Sequence, residues 1–148
     1  MADNVALQHK HLVAQCQTFA SATTGTGTIV DTRGYTYLTV FMAFGTTTGT
    51  SATVAAKIQR DSDVALGSPT DMAGWTFGTI ASVESADNTM YLLHGPINDT
   101  NMERYIRSTI TTGGTVTSVP VQITYLLSNG PVVPTSADYT AVVVATGT

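Results

Sequence analysis

Across residues 30–44 the side chains sort by twos. Leu38, Val40, Met42 and Phe44 fall on one side of an extended chain, and Tyr35, Tyr37, Thr39, Phe41 and Ala43 on the other. That is the period of a β-strand. One face is wholly apolar and the other aromatic with hydroxyls, so both faces are expected to meet protein. A turn leads in: Asp31 can bond backbone amides two residues on, and Gly34 can take positive φ. Asp31, Arg33 and Gly34 are therefore the structural turn of the chain.

Similar runs recur at a spacing of about 10 residues, which gives about eight strands. Val54, Ala56 and Ile58 oppose Thr53, Lys57 and Gln59, and Trp75 shares a face with Phe77. Further runs lie at 89–94, 104–112 and 139–145. In the run over 118–127, Val119, Val121, Ile123, Tyr125 and Leu127 oppose Gln122 and Thr124. Residues 5–19 alternate weakly, and their phase slips near Val13. The segment 45–51 reads as a hairpin, 61–74 as a loop, and Gly113-Gly114 as the end of a strand. Pro120 marks a strand start or an edge. No window carries a 3.6-residue period. The fold class is all-β: an antiparallel β-sandwich, jelly-roll-like, with an extended N-terminal arm. Residues 1–20 form that arm or an edge strand, and 21–148 a single domain.

Charged residues make up 11% of the chain and hydrophobic residues 43%, with a mean hydropathy of +0.15. An ordinary soluble domain carries about 25% charge. So sparse a surface suits burial in an assembly. The net charge of -4, with six scattered basic residues, argues against nucleic acid. No apolar run approaches the ~20 residues of a membrane helix. The opening Met1-Ala2-Asp3-Asn4 has no basic stretch followed by an apolar one, so no secretory signal is expected. Cys16 is the sole cysteine, which leaves no intrachain disulfide.

Candidate chemistry is thin. His9 and His11 share a strand face and His94 is a conceivable third ligand, but the spacing fixes no metal site. Asp61-Ser62-Asp63 lacks the oxygen ligand and glycine that an EF-hand needs next, because Ala65 and Leu66 stand there. Neither a nucleophile elbow nor a phosphate loop occurs. Asn98-Asp99-Thr100 matches a glycosylation acceptor by chance. Neither an enzyme nor a cofactor is expected. Tyr35, Tyr37, Trp75, Phe77, Tyr91 and Tyr105 form either a sugar-stacking platform or ordinary core and interface. Arg104 and Arg107 alternate across a strand, Arg107 with Tyr105 and Arg104 with Ile106. Each pairs with Asp31, Asp61 or Asp63, or with a neighbouring subunit.

Residues 25–28, 30–35, 38–44, 58–63 and 104–107 occur in an order that resembles the head decoration (cement) proteins of tailed bacteriophages. These supply a Thr/Gly lead-in, a Val-Asp-Thr-x-Gly-aromatic turn and an apolar strand. A strand ending in Gln with an acidic loop follows, then an Arg-Tyr-hydrophobic-Arg strand. The departure is a late Trp75, after an insertion with Pro69 and Asp71. The resemblance implies a sandwich, often trimeric, on the outer surface of the capsid at capsomer junctions. Its partners would be itself, as a homotrimer, and the phage major capsid protein, with synthesis in the host bacterial cytoplasm. Candidate oligomer or capsid contacts are Val5, Leu7, His9, His11, Leu12, Tyr35, Tyr37, Phe41, Arg104 and Arg107. A second resemblance, over 61–63, Trp75 and 104–107, is to discoidin-type galactose-binding-like sandwiches, which implies a carbohydrate-binding module. That family usually carries a terminal disulfide, which Cys16 alone cannot make. A small tail or head-fibre protein is the remaining alternative.

Overall fold

A computed structural model describes residues 9–81, 83, 89–97, 103–129 and 142–146, with backbone alone for His9, His11 and 142–146. Val5, Leu7 and residues 98–100 lie outside the described residues. Among the described residues nine strands follow one another: β1 (His9–Phe19), β2 (Thr24–Thr26), β3 (Val30–Asp31), β4 (Tyr37–Phe44), β5 (Thr48–Asp61), β6 (Thr70–Ile80), β7 (Met90–Pro96), β8 (Tyr105–Ser128) and β9 (Val142–Thr146). This agrees with the sequence spacing of about eight strands, although the runs over 104–112 and 118–127 are one continuous strand, β8.

β8 is the spine. Its Thr, Val and Ile side chains favour a pleated backbone. The chain from β1 to β3 runs antiparallel along one side, placing His9 opposite Ser128, Phe19 opposite Val119, Thr24 opposite Thr111 and Asp31 opposite Tyr105. β4 and β5 run antiparallel along the other, with Tyr37 opposite Ser128 and Asp61 opposite Tyr105. β4 and β5 thus form no hairpin. Residues 45–47 are a corner where one flank of β8 passes from the first half of the ribbon to the second.

This three-strand ribbon is creased. An extended strand of β8's length spans about 80 Å, yet residues 32–36 join the partners of its two ends, Asp31 and Tyr37, which lie at most ~22 Å apart. The crease falls at Gly113-Gly114, which bends the strand where a strand end was expected. Gly114 has φ +73°, and its flanking chain bulges at Ser51, φ +54°. The β5 register slips there, between Thr50 and Thr53. On the opposite flank Thr112 holds the bend. Its hydroxyl accepts from Thr23 N at 3.0 Å and donates to Ser21 O at 3.0 Å.

Folding the ribbon over produces two sheets that share β8. Sheet I holds β1, the C-terminal half of β8, β4, β7 and β9. Sheet II holds β2, β3, the N-terminal half of β8, β5 and β6. All ladders are antiparallel except that of β9, which lies parallel to β7. β6 starts at Thr70, so the loop after Asp61 is shorter than the sequence suggests. Pro120 sits inside the spine rather than at a start or edge. Its carbonyl accepts from Gly45 N at 3.1 Å. The proline nitrogen, on that same side of the strand, therefore faces the corner where the ladder is interrupted and no donor is required.

One core fills the space between the sheets. Leu38, Val40, Met42 and Phe44 meet Val54, Ala56, Ile58, Ile106 and Ile110 across it, with Trp75 also buried. Each Val, Leu, Ile, Met or Phe side chain among them contributes about 1.5–3 kcal/mol through burial. At one flank Thr28 N donates to Ala14 O at 2.7 Å, beside the bulge that shifts the register after Val13. At the other, β6 contacts β7 and β9, so the sandwich is nearly closed into a barrel.

Candidate functional site

The link between the sheets is built by local chemistry. Arg33 N donates to Asp31 Oδ1 at 3.0 Å, and Gly34 has φ +90°. Thr32 is buried, and both its N (3.0 Å) and its hydroxyl (2.8 Å) donate to Arg104 O. Thr36 N donates to Ser128 O at 3.0 Å. Six consecutive residues thus grip both ends of β8. Arg104 lies just ahead of the strand, so it escapes the alternation that would place it with Ile106. Its guanidinium donates from Nε to Asp31 Oδ1 at 2.8 Å and from Nη2 to Oδ2, and stands 5.0 Å above the Tyr105 ring. That contact holds the Asp31 carboxyl down at about 2. Among the three acids open to Arg104, the fold selects Asp31.

The outer face of sheet II continues from this pair. Register sets Thr24, Thr111, Ala55 and Thr79 in one row across the strands, and Thr26, Thr109, Lys57 and Thr76 in the next. The following row is Arg107, Gln59 and Asp71. Gln59 is its hub. Its Oε1 accepts from Arg107 Nε and Nη2, both at 3.2 Å, and from Thr109 Oγ1 at 2.9 Å. Its Nε2 donates to Asp71 Oδ1 at 3.0 Å, and Lys57 Nζ donates to Asp71 Oδ2 at 2.6 Å. The Lys57 contact, then the Gln59 amide, depress the Asp71 carboxyl below its usual range. A shallow depression of about 280 Å³ lies over Ala55 and Ala56, walled by Lys57, Thr76, Thr109 and Thr111. The face is polar and laced by side-chain hydrogen bonds.

Alternation in β5 put Lys57 and Gln59 on this face, but nothing local marked Gln59 as the partner of Arg107. Arg107 touches none of the three acids considered for it.

The other candidates are spread out. Leu12 and Tyr35 pack against the core, and Phe41 is half-buried on the outer face of sheet I. Tyr37 stacks on His94 with ring centres 5.8 Å apart, and Thr39 Oγ1 hydrogen-bonds His94 Nδ1 at 2.8 Å. Burial lowers the affinity of His94 for a proton. Cys16 is exposed, lining a second depression of about 290 Å³ with Phe44 and Pro120. Asp61 closes its own loop, accepting from Asp63 N and Ser68 N at 3.0 Å each. The described residues contain no cluster of three metal-ligating side chains. No aromatic platform forms from the six rings. Trp75 is only 5% exposed, Tyr35, Phe77 and Tyr91 pack on the core, and Tyr37 and Tyr105 face outward from different sheets.

Neither a protein-family model nor a curated protein matches the sequence. Solved structures share the fold. The PBSX exported protein XepA is 9% identical with a TM-score of 0.51, over 85% of this chain and 39% of XepA. The VP2 subviral particle of infectious bursal disease virus is 16% identical with a TM-score of 0.51, over 83% of this chain and 33% of VP2. A protein of Bacillus endospore appendages, which are disulfide-linked pili, is 13% identical with a TM-score of 0.47, over 83% of this chain and 88% of its own. The chain therefore spans well under half the length of XepA or VP2. What it shares with these two proteins is an all-β sandwich.

Proposed function

We propose that this chain is a non-enzymatic structural protein of a tailed-phage virion, one that decorates the capsid and bridges neighbouring capsomers as a homotrimer. The observation that carries this reading is a sandwich with sparse surface charge, in which three of the six basic side chains lie against a carboxylate. Lys57 is tied to Asp71, Arg104 to Asp31 and Arg60 to Glu103. With charged residues at only 11% of the chain, few ions would have to shed water on burial, and interface cores are depleted of charged residues, which suits a part laid between other proteins. The PBSX exported protein XepA and a viral particle protein use the same fold. The mechanism is multivalency: one trimer touches several capsid subunits, so weak patches add through effective concentration. Residues 1–20, with Val5, Leu7, His9, His11 and Leu12, are proposed contacts. So are the half-exposed Tyr37 and Phe41 on sheet I and Arg107 on sheet II.

The sugar-binding alternative loses its platform with Trp75 in the core. Sizing chromatography with light scattering, followed by co-sedimentation with undecorated heads of the parent phage, tests the proposal. A trimer that sediments with heads is expected. A strict monomer that stays in the supernatant overturns it.

A further inference from the structure

Sheet II carries three cations on its outer face, and they are not equivalent. Lys57 and Arg104 each hold a carboxylate. Arg107 has no acidic partner among the described residues; its contacts are with the Gln59 carbonyl oxygen. Those two bonds use the Nε–Nη2 edge of the guanidinium and fix its plane. The outer edge, Nη1 with the second Nη2 hydrogen, makes no hydrogen bond to the described residues. That is the geometry in which arginine takes a carboxylate with two parallel bonds. The side chain is half-buried and already ordered, so little freedom is lost when a partner arrives. Around it stand the exposed threonines Thr24, Thr26, Thr111 and Thr76.

We propose that the outer face of sheet II is the capsid-docking surface, anchored by Arg107 on an Asp or Glu carboxylate of the capsid protein. This rests on the decoration reading above. Charge complementarity identifies the partner's chemistry: a half-buried, unneutralised guanidinium calls for one carboxylate. The state of Tyr105 favours a protein over a glycan. The ring is covered by the Arg104 guanidinium and offers no bare surface for a sugar to stack on.

Full-length protein is titrated against undecorated heads of the parent phage and binding is read by co-sedimentation. R107Q keeps a polar group beside Gln59 but removes the charge, and is expected to weaken binding about tenfold or more. R107K keeps the charge but not the fork, and is expected to fall between. R33Q, on the exposed link, is expected to bind like wild type. Heads whose surface carboxylates have been amidated with carbodiimide and glycinamide are expected to lose the wild-type protein; this arm holds even where R107Q fails to fold. If wild type ignores unmodified heads, the decoration reading itself falls. If wild type binds but R107Q matches R33Q, or amidated heads bind normally, this inference alone is overturned. Arg107-dependent binding to alginate, with binding to heads unaffected by R107Q, overturns it in favour of an anionic glycan.

Discussion

A methyl group at position 114 has nowhere to go. A Cβ there would stand 2.3 Å from Ser51 O, and the backbone already holds φ +73°. The conformation alone costs a non-glycine residue about 1–2 kcal/mol, and the neighbour that would have to yield is backbone. G114A is expected to lose about 2–4 kcal/mol in urea denaturation. G67A, whose nearest neighbour would lie at 3.8 Å, is expected to stay within ~0.5 kcal/mol of wild type. The Asp31–Arg104 pair gives a prediction with a pH sign. The Asp31 carboxyl is depressed from 3.8 to about 2. Its contribution is therefore fully present above pH 3.8 and disappears as pH falls through about 2. D31N should melt slightly below wild type at pH 6, and calorimetry should find the gap closing between pH 4 and 2. With the two side chains 37% and 44% exposed, the effect is small and shrinks in salt.

At the scale of the element, β8 is hydrogen-bonded on both sides along most of its length, while β1 and β6 each pair on one side within their sheets. Hydrogen exchange should find the amides of 106–111 and 121–127 among the slowest in the chain, and those of β6 faster. Comparable protection in β6 and β8 would contradict this. Strand faces were readable in advance because alternation is local: Val54, Ala56 and Ile58 point inward, and the slip near Val13 is a bulge. The unity of β8 was not readable. A Gly-Gly pair is equally good for ending a strand and for creasing one. What decides is the partner that bulges at Ser51, more than 60 residues away in sequence. The same limit applies to the polar face. Arg107 was visible as an outward cation, but Gln59 and Asp71 are assembled around it by ladder register, which no local pattern records. Arg104 was misplaced for a related reason: alternation assigns faces only once the first residue of the strand is known.

For the whole molecule, one shared spine means one unfolding unit. L38A in sheet I and I58A in sheet II each empty a fully buried site and should each cost about 2–5 kcal/mol. Tyrosine fluorescence and far-ultraviolet dichroism should give coincident transitions in both variants. Two separated transitions would mean that the sheets fold independently. The creased spine also gives the protein a direction under load. Pulling β8 lengthwise must shear the ladders on both its flanks at once, whereas peeling β6 sideways opens its bonds one after another. In the capsid role proposed above, a particle that swells or is pressed from within would therefore meet different stiffness depending on which axis of the sandwich it stretches. The orientation in which such a part is seated would then matter as much as how tightly it is held.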